Sequence, residues 1–229
     1  MMECIILAGG FGTRLQSVVN DRPKCLAPIR ELPFLAYLFD YLHKGGISKV
    51  ILSLGYRHEL VEEWLHSFST PLEVEIVVEE EPLGTGGGVK FALEKVTDNK
   101  ALVVNGDTLF SLNIRELFKT HQESGCSVTL GLKPMYDFDR YGSVTLDGKY
   151  ITAFREKQFC TNGLINGGVF VLNKEALKKM PDKFSLEQDY LVVEANKNNV
   201  GGYVEDAYFI DIGIPSDYEK AQWEIPAIN

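Results

Sequence analysis

Four short stretches carry the residue types that phosphate chemistry needs. The first is Leu7-Ala8-Gly9-Gly10-Phe11-Gly12-Thr13-Arg14-Leu15. Its three glycines let the backbone pass close to a ligand and aim N–H groups at it. Thr13 adds a hydroxyl, and Arg14 adds a guanidinium fork suited to phosphate oxygens. The second stretch is Pro23-Lys24, in a segment punctuated again by Pro28. Its lysine is either a solvated side chain or an ammonium rigidly presented to a phosphate. Arg14 and Lys24 are both expected to face solvent. The third stretch is Asn105-Gly106-Asp107, after an apolar run. Asp107 reads as a turn aspartate or as a hard oxygen ligand for Mg²⁺. The fourth is Asp211 in Phe209-Ile210-Asp211-Ile212-Gly213-Ile214-Pro215, where an unpaired buried carboxylate would be costly. Two such acids could share one Mg²⁺. A phosphate loop, two basic groups and two acids are parts for handling a nucleotide with a divalent metal.

The glycine loop fits neither of two commoner phosphate loops. A dinucleotide fingerprint needs a third glycine where Thr13-Arg14-Leu15 stands, and an acid ending the next strand, where Ser53-Leu54-Gly55 stands. A Walker loop needs Gly-Lys-Ser/Thr, which is absent here. Other candidates have two readings each. Glu156-Lys157 is a surface charge pair, or an acceptor for sugar hydroxyls beside a cation for a second phosphate. Asn166-Gly167-Gly168 is a hairpin turn, or places Asn166 on hydroxyls. Glu79-Glu80-Glu81 is a solvated acidic run, or part of a site. Phe34, Tyr37 and Tyr41 at helical spacing are core or interface.

The elements that position these residues alternate in the first half. Glu3-Cys4-Ile5-Ile6 is a buried strand running into the glycine loop. Pro33 opens a helix over 34–44 with Phe34, Leu35, Leu38, Phe39 and Leu42 on one face, ended by Gly45-Gly46. Strands follow at 49–54, 74–78 and 101–104, with a helix at 57–66, another that begins after Gly88 and runs to about Lys95, and a third capped by Asn113 and running to Glu123. Alternation of this kind predicts a mostly parallel sheet covered on both faces. The second half is less regular. Strands are expected at 127–132, 142–146, 151–155, 168–172, 203–204 and 208–212. Helices are expected from an Asn173 cap to Lys179, over 185–196 with a bend near Asp189-Tyr190, and from Pro215 or Ser216 to Trp223. No repeat or linker divides the chain, so this half reads as a lobe on the same sheet.

The 229 residues suffice for a full core, and 45% hydrophobic with 24% charged residues is ordinary for a globular protein. The net charge of −9 argues against nucleic acid as partner. No apolar run reaches membrane-spanning length and no signal peptide precedes the first strand, so no membrane role and a cytoplasmic location are expected. Cys4, Cys25, Cys126 and Cys160 lack any C-x-x-C spacing and read as reduced small hydrophobes. His43, His58, His66 and His121 all read as surface histidines.

Taken in order, these stretches resemble the sugar-1-phosphate nucleotidyltransferases, the pyrophosphorylase family that makes nucleotide sugars. The resemblance rests on residues 7–15, Pro23-Lys24 with Pro28, Glu81-Pro82-Leu83-Gly84-Thr85-Gly86, Asn105-Gly106-Asp107, Phe154-x-Glu156-Lys157, Asn166-Gly167-Gly168 and Asp211-Ile212-Gly213-Ile214-Pro215. Ile214 stands where members often have Thr. The short form, with Ser185-Leu186-Glu187-x-Asp189, is most similar to the branch that guanylylates heptose 1-phosphates. The resemblance implies an α/β fold of the nucleotide-diphospho-sugar transferase kind: a mostly parallel, mixed central sheet flanked by helices, with a small sugar-binding lobe. Many members carry a C-terminal β-helix; residues 1–229 are expected to form one catalytic domain without it.

The resemblance also implies roles. Leu7, Ala8, Gly9, Gly10, Gly12 and Thr13 would hold the nucleotide, joined by Gly84 and Thr85. Arg14, Lys24 and Asp107 would be catalytic, with Arg14 near the leaving pyrophosphate and Lys24 by the α-phosphate. Asp107 and Asp211 would hold Mg²⁺. Gly142, Glu156, Lys157, Asn166 and Gly167 would hold the sugar 1-phosphate. In the family the residue five before the Gly84 position reads the base, and here it is Glu79. An ionised carboxylate only accepts hydrogen bonds, and guanine offers two adjacent donors, so Glu79 favours GTP. The competing readings are a mannose-1-phosphate guanylyltransferase, a uridylyltransferase on another sugar phosphate, a ligand-sensing regulatory homologue without activity and, last, a dinucleotide-binding module.

Overall fold

The apolar run Met2–Leu7 forms β1, which lies inside a parallel set of strands, with both faces covered. The computed structural model describes residues 2–10, 12, 14–15 and 17–225. After β1, Pro28–Ile29 (β2) and Leu32–Pro33 (β3) make a small hairpin that leads into helix α1, Phe34–Lys44. Next come β4 (Ile47–Leu54), α2 (His58–Ser67), β5 (Glu73–Val78), α3 (Gly84–Leu93) and β6 (Lys100–Asn105). A short β7 (Thr108–Phe110) precedes α4 (Ile114–Ser124). Then follow β8 (Val128–Phe138), β9 (Ser143–Asp147), β10 (Tyr150–Arg155) and β11 (Cys160–Asn173). The chain continues through α5 (Val192–Ala195), β12 (Val200–Val204), β13 (Phe209–Asp211) and α6 (Pro215–Glu224).

Nine strands form one sheet in the order β5-β4-β1-β6-β11-β8-β12-β10-β9. The strands β5, β4, β1 and β6 are parallel, and β11 then runs antiparallel to β6, so the sheet is mixed. The second half therefore adds strands to the same sheet, as its patterning predicts. Side chains alternate between two cores. Cys4 and Ile6 face the layer of α1 and α4, and Ile5 faces that of α3. Apolar area removed from water on both faces is the main stabilising term.

Several local expectations fail for tertiary reasons. Asn166-Gly167-Gly168 is no turn but lies inside the 14-residue β11, where the register with β8 shifts between Asn166 and Phe170. Asn173 caps nothing with its side chain; its Oδ1 meets His121 Nε2 at 3.1 Å and its Nδ2 donates to Cys126 O at 3.3 Å. His121 is accordingly buried, not on the surface, with Nδ1 3.0 Å from Thr129 Oγ1. The bend expected in the 185–196 helix is a π-helical stretch, Leu186–Leu191, ahead of α5. Neither the β2–β3 hairpin nor β7 is foreseen from periodicity, both being too short to show one.

Candidate active site

The C-terminal ends of the parallel strands are laced together by backbone hydrogen bonds. Ala8 N–H donates to Ser53 O at 2.9 Å, Gly106 N–H to Leu7 O at 2.8 Å and Glu79 N–H to Leu54 O at 2.8 Å. Leu7 to Gly10, Gly55-Tyr56, Glu79 and Asp107 are thereby held on one rim, where ligands collect in open parallel sheets. A cavity of about 690 Å³ opens there. Its wall includes Leu7, Ala8, Gly9, Gly10, Gly12, Lys24, Glu79, Gly84, Thr85 and Asp107. Thr13 lies outside the described residues.

Lys24 is half-buried rather than solvent-facing, and its Nζ lies 3.2 Å from Asp107 Oδ2. Its stem crosses Gly12, where a Cβ would come within 2.7 Å of Lys24 Cγ. Arg14 is exposed, as expected. Asp211 reaches the same place from the far end of the sequence. The β13 strand pairs with β7 so that Asp211 faces Thr108, and Ile212 N–H donates to Asp107 O at 2.9 Å. Burial first, then the Asp107 carboxylate, push Asp211 above its ordinary pKa; the Gly213 N–H, Lys24 and Arg14 pull it back. Two carboxylates that repel each other in a partly buried site suit a divalent cation between them. Among the described residues no third His, Cys, Asp or Glu joins the pair. That donor set fits Mg²⁺, which keeps waters and takes its remaining ligands from substrate phosphates.

Glu79 is fixed in place. Its Oε1 accepts from Ser53 Oγ at 3.2 Å and its Oε2 from Leu83 N–H at 3.0 Å. The segment that follows is clasped by residues 182–186. Gly84 has φ +75°, and a Cβ there would come within 2.6 Å of Phe184 O. Thr85 lines the cavity, but its hydroxyl oxygen is taken by Leu186 N–H at 3.0 Å.

The sugar-side residues are less gathered. Gly142 packs under Arg155, whose carbonyl oxygen a Cβ would approach to 2.7 Å. Glu156 and Lys157 are exposed between β10 and β11 and line neither the main cavity nor a second hollow of about 310 Å³. Asn166 turns its Oδ1 onto Gly168 N–H at 3.1 Å, and Gly167 is buried against Phe110. The second hollow abuts Asp211 and is walled by Lys133, Tyr141, Phe209 and Asp217. There Arg140 donates to Tyr141 Oη at 2.9 Å and pairs with Asp217. Sequence reasoning misses Ser53, Gly55, Tyr56 and His58. Ser53 alone carried a signal, as a hydroxyl interrupting the apolar run 50–54.

Comparison with known proteins places the chain in a family. Residues 3–227 match the family model described as Nucleotidyl transferase. The D-glycero-alpha-D-manno-heptose 1-phosphate guanylyltransferase of Aneurinibacillus thermoaerophilus is 47% identical over 98% of each chain. The protein of the same name from Campylobacter jejuni is 43% identical, over 95% of this chain and 97% of its own. The crystal structure of HddC from Yersinia pseudotuberculosis superposes with TM-score 0.87 at 36% identity, covering 97% of this chain and 98% of its own; a second structure of that protein is complexed with GMP-PN. A UDP-glucose pyrophosphorylase at 17% identity and TM-score 0.79 shares the fold. The fold is that of the nucleotide-diphospho-sugar transferases, and the chain belongs to the nucleotidyl transferase family.

Proposed function

We propose that the chain transfers the guanylyl group of GTP to D-glycero-α-D-manno-heptose 1-phosphate, giving a GDP-sugar and pyrophosphate. The observation that carries this reading is the meeting of Lys24, Asp107 and Asp211 at the rim of a nucleotide-sized cavity whose wall includes Glu79. The names of the relatives with the same chain length point to the same substrates.

In the reaction a non-bridging oxygen of the sugar phosphate forms a bond to the α-phosphorus of GTP. The bond from that phosphorus to the bridging oxygen of the β-phosphate breaks, and pyrophosphate leaves with the electron pair. The attacking oxygen is already ionised, so position and charge neutralisation do most of the work. The backbone of Gly9, Gly10 and Gly12 cradles the triphosphate. Arg14 stands by the departing pyrophosphate and Lys24 by the α-phosphate. Gly84 and Thr85 close the base end of the cavity, and Glu79 accepts from the base. Glu156, Asn166, Gly142 and Gly167 take the sugar, and Lys157 its phosphate. For Glu156 and Lys157 to take part, the substrate draws the exposed β10–β11 link inward. Asp107 and Asp211 would hold Mg²⁺, which when bound screens the repulsion between the two anionic substrates. In this reading residues 1–229 act as one catalytic domain, which the extent of the family match over 3–227 supports. Four free thiols suit the reducing cytoplasm.

A pyrophosphate-release assay tests this over GTP, UTP, dTTP and ATP, each with heptose 1-phosphate and mannose 1-phosphate. GTP with heptose 1-phosphate should give the highest kcat/KM. Preference for UTP or dTTP would sink the guanylyl reading, preference for mannose 1-phosphate the heptose reading, and no turnover with any pair the enzymatic one.

A further inference from the structure

Ser53 sits at the C-terminal end of β4 with no exposed surface. Its hydroxyl has two acceptors in reach, Glu79 Oε1 at 3.2 Å and Gly88 O at 3.4 Å. One hydroxyl hydrogen serves one acceptor at a time, and a carboxylate is the stronger. The other carboxylate oxygen is held by Leu83 N–H at 3.0 Å. Oε1 also lies in a slot that only glycines leave open: a Cβ at Gly88 would come within 2.6 Å of it and one at Gly9 within 3.3 Å. Each carboxylate oxygen has two lone pairs. The two interior bonds take one from each and leave one on each, on a group that forms part of the cavity wall.

We propose that Ser53 is a positioning residue for base selection, holding the Glu79 carboxylate so that its two remaining lone pairs meet guanine's N1–H and exocyclic amine together. This rests on Glu79 reading the base. Ser53 is sealed from the cavity and acts only through Glu79. The final torsion of a glutamate is soft, so without the Ser53 hydroxyl the carboxylate pivots about its bond to Leu83 N–H. One donor of the base is then badly aligned.

Inosine triphosphate keeps N1–H and lacks the amine, so the ratio of kcat/KM for GTP over ITP reports the second contact. The ratio is measured in the wild type, Ser53→Ala, Ser53→Thr, Glu79→Gln and the Ser53→Ala/Glu79→Gln double variant. Ser53→Ala should lower it about tenfold, the usual weight of one hydrogen bond to a charged group. The effect should fall on the KM for GTP and leave the KM for sugar phosphate in place. Ser53→Thr, which keeps the hydroxyl, should recover most of the ratio. In the double variant the serine change should add less than about twofold, because both act through one contact. A loss of folded protein scales GTP and ITP rates alike, so it cannot mimic this result. If Glu79→Gln collapses the ratio and Ser53→Ala leaves it intact, Ser53 is packing alone and the proposal is wrong. If Glu79→Gln leaves the ratio intact, the base-reading role of Glu79 fails, and Ser53 loses its role with it.

Discussion

Lys24 Nζ and Asp107 Oδ2 lie 3.2 Å apart although 83 residues separate them in sequence. The pair ties the loop after β1 to the end of β6, and it stands ready on the rim before any substrate arrives. In the proposed reaction, a cation and an anion placed this way would keep charge near the phosphorus under attack without reorganisation.

Removing the lysine tests that role. Lys24→Ala should lower kcat/KM by about 100-fold, the scale seen when one preorganised charge-stabilising group is lost. Lys24→Arg should restore little, because the stem is threaded over Gly12 and a guanidinium is broader than an ammonium. The check is steady-state kinetics on protein shown by circular dichroism to be folded. A purely structural lysine would instead lower the melting temperature and leave kcat/KM of the folded fraction alone.

The two acids should separate activity from stability. Asp107→Asn and Asp211→Asn should each reduce turnover by orders of magnitude and raise the Mg²⁺ concentration needed for half-maximal rate. Asp211→Asn should at the same time hold or raise the melting temperature, because it removes a partly buried charge that Asp107 repels. Near-normal turnover of both variants at limiting Mg²⁺ would remove the carboxylates from the metal's role.

The clasp around Gly84 and Thr85 makes a third case. Gly84→Ala forces a left-handed backbone onto alanine and drives its Cβ toward Phe184 O, so a loss of about 1–3 kcal/mol is expected. Thr85→Val leaves Leu186 N–H without its acceptor and should destabilise by about 1–3 kcal/mol. Urea midpoints give the stability change, and the KM for GTP should rise in both variants while that for sugar phosphate stays level.

His121 predicts a pH dependence of stability. Burial, with Lys100 adding to it, holds the ring below its ordinary pKa despite the Asn173 contact. The unfolded chain therefore takes up a proton as the pH falls below about 6.5, and the folded chain resists it. Stability contributed by the neutral ring is complete above that pH and declines below it. Melting temperatures at pH 7.5 and 5.5 should show a drop that His121→Gln reduces. Equal drops in both proteins would assign the pH effect to other groups.

The parallel half of the fold was legible because its strands are rich in apolar residues and α1 and α2 carry apolar residues at helical spacing; α3 begins at Gly84, ahead of the expected start after Gly88, because its first turns are glycines with no stripe to read. The range 34–44 for α1 and the Asn113 cap of α4 follow directly from such signals. In the second half, local signals lost to tertiary context. Asn166-Gly167-Gly168 has the composition of a turn, but pairing with β8 on either side of it, with β6 from Val169 onward, and packing of Gly167 on Phe110 keep β11 running through it. Asn173 looked like a cap and His121 like a surface side chain because neither reveals the other in sequence. In the site, motif order brought Lys24, Asp107 and Asp211 into one expectation. Ser53 escaped it because its importance lies in a contact with Glu79, 26 residues on.

The β7–β13 pairing bears on how the protein is made. Lys24 and Asp107 belong to the first half of the chain, but Asp211 arrives on a strand near its other end, held by α6. That helix is stitched to the β2–β3 hairpin: Tyr218 Oη donates to Pro28 O at 2.6 Å, and the Arg30 guanidinium donates to Gln222 O at 3.0 Å and Ile225 O at 2.9 Å. During synthesis on the ribosome the nascent chain can form its glycine loop and the Lys24–Asp107 pair long before the second acid emerges. The second carboxylate is contributed by β13, next to the helix that is bonded to the hairpin made first. In the proposed reaction a chain without β13 and α6 would lack the second carboxylate, and truncation within α6 would loosen the hairpin at the opposite end of the sequence.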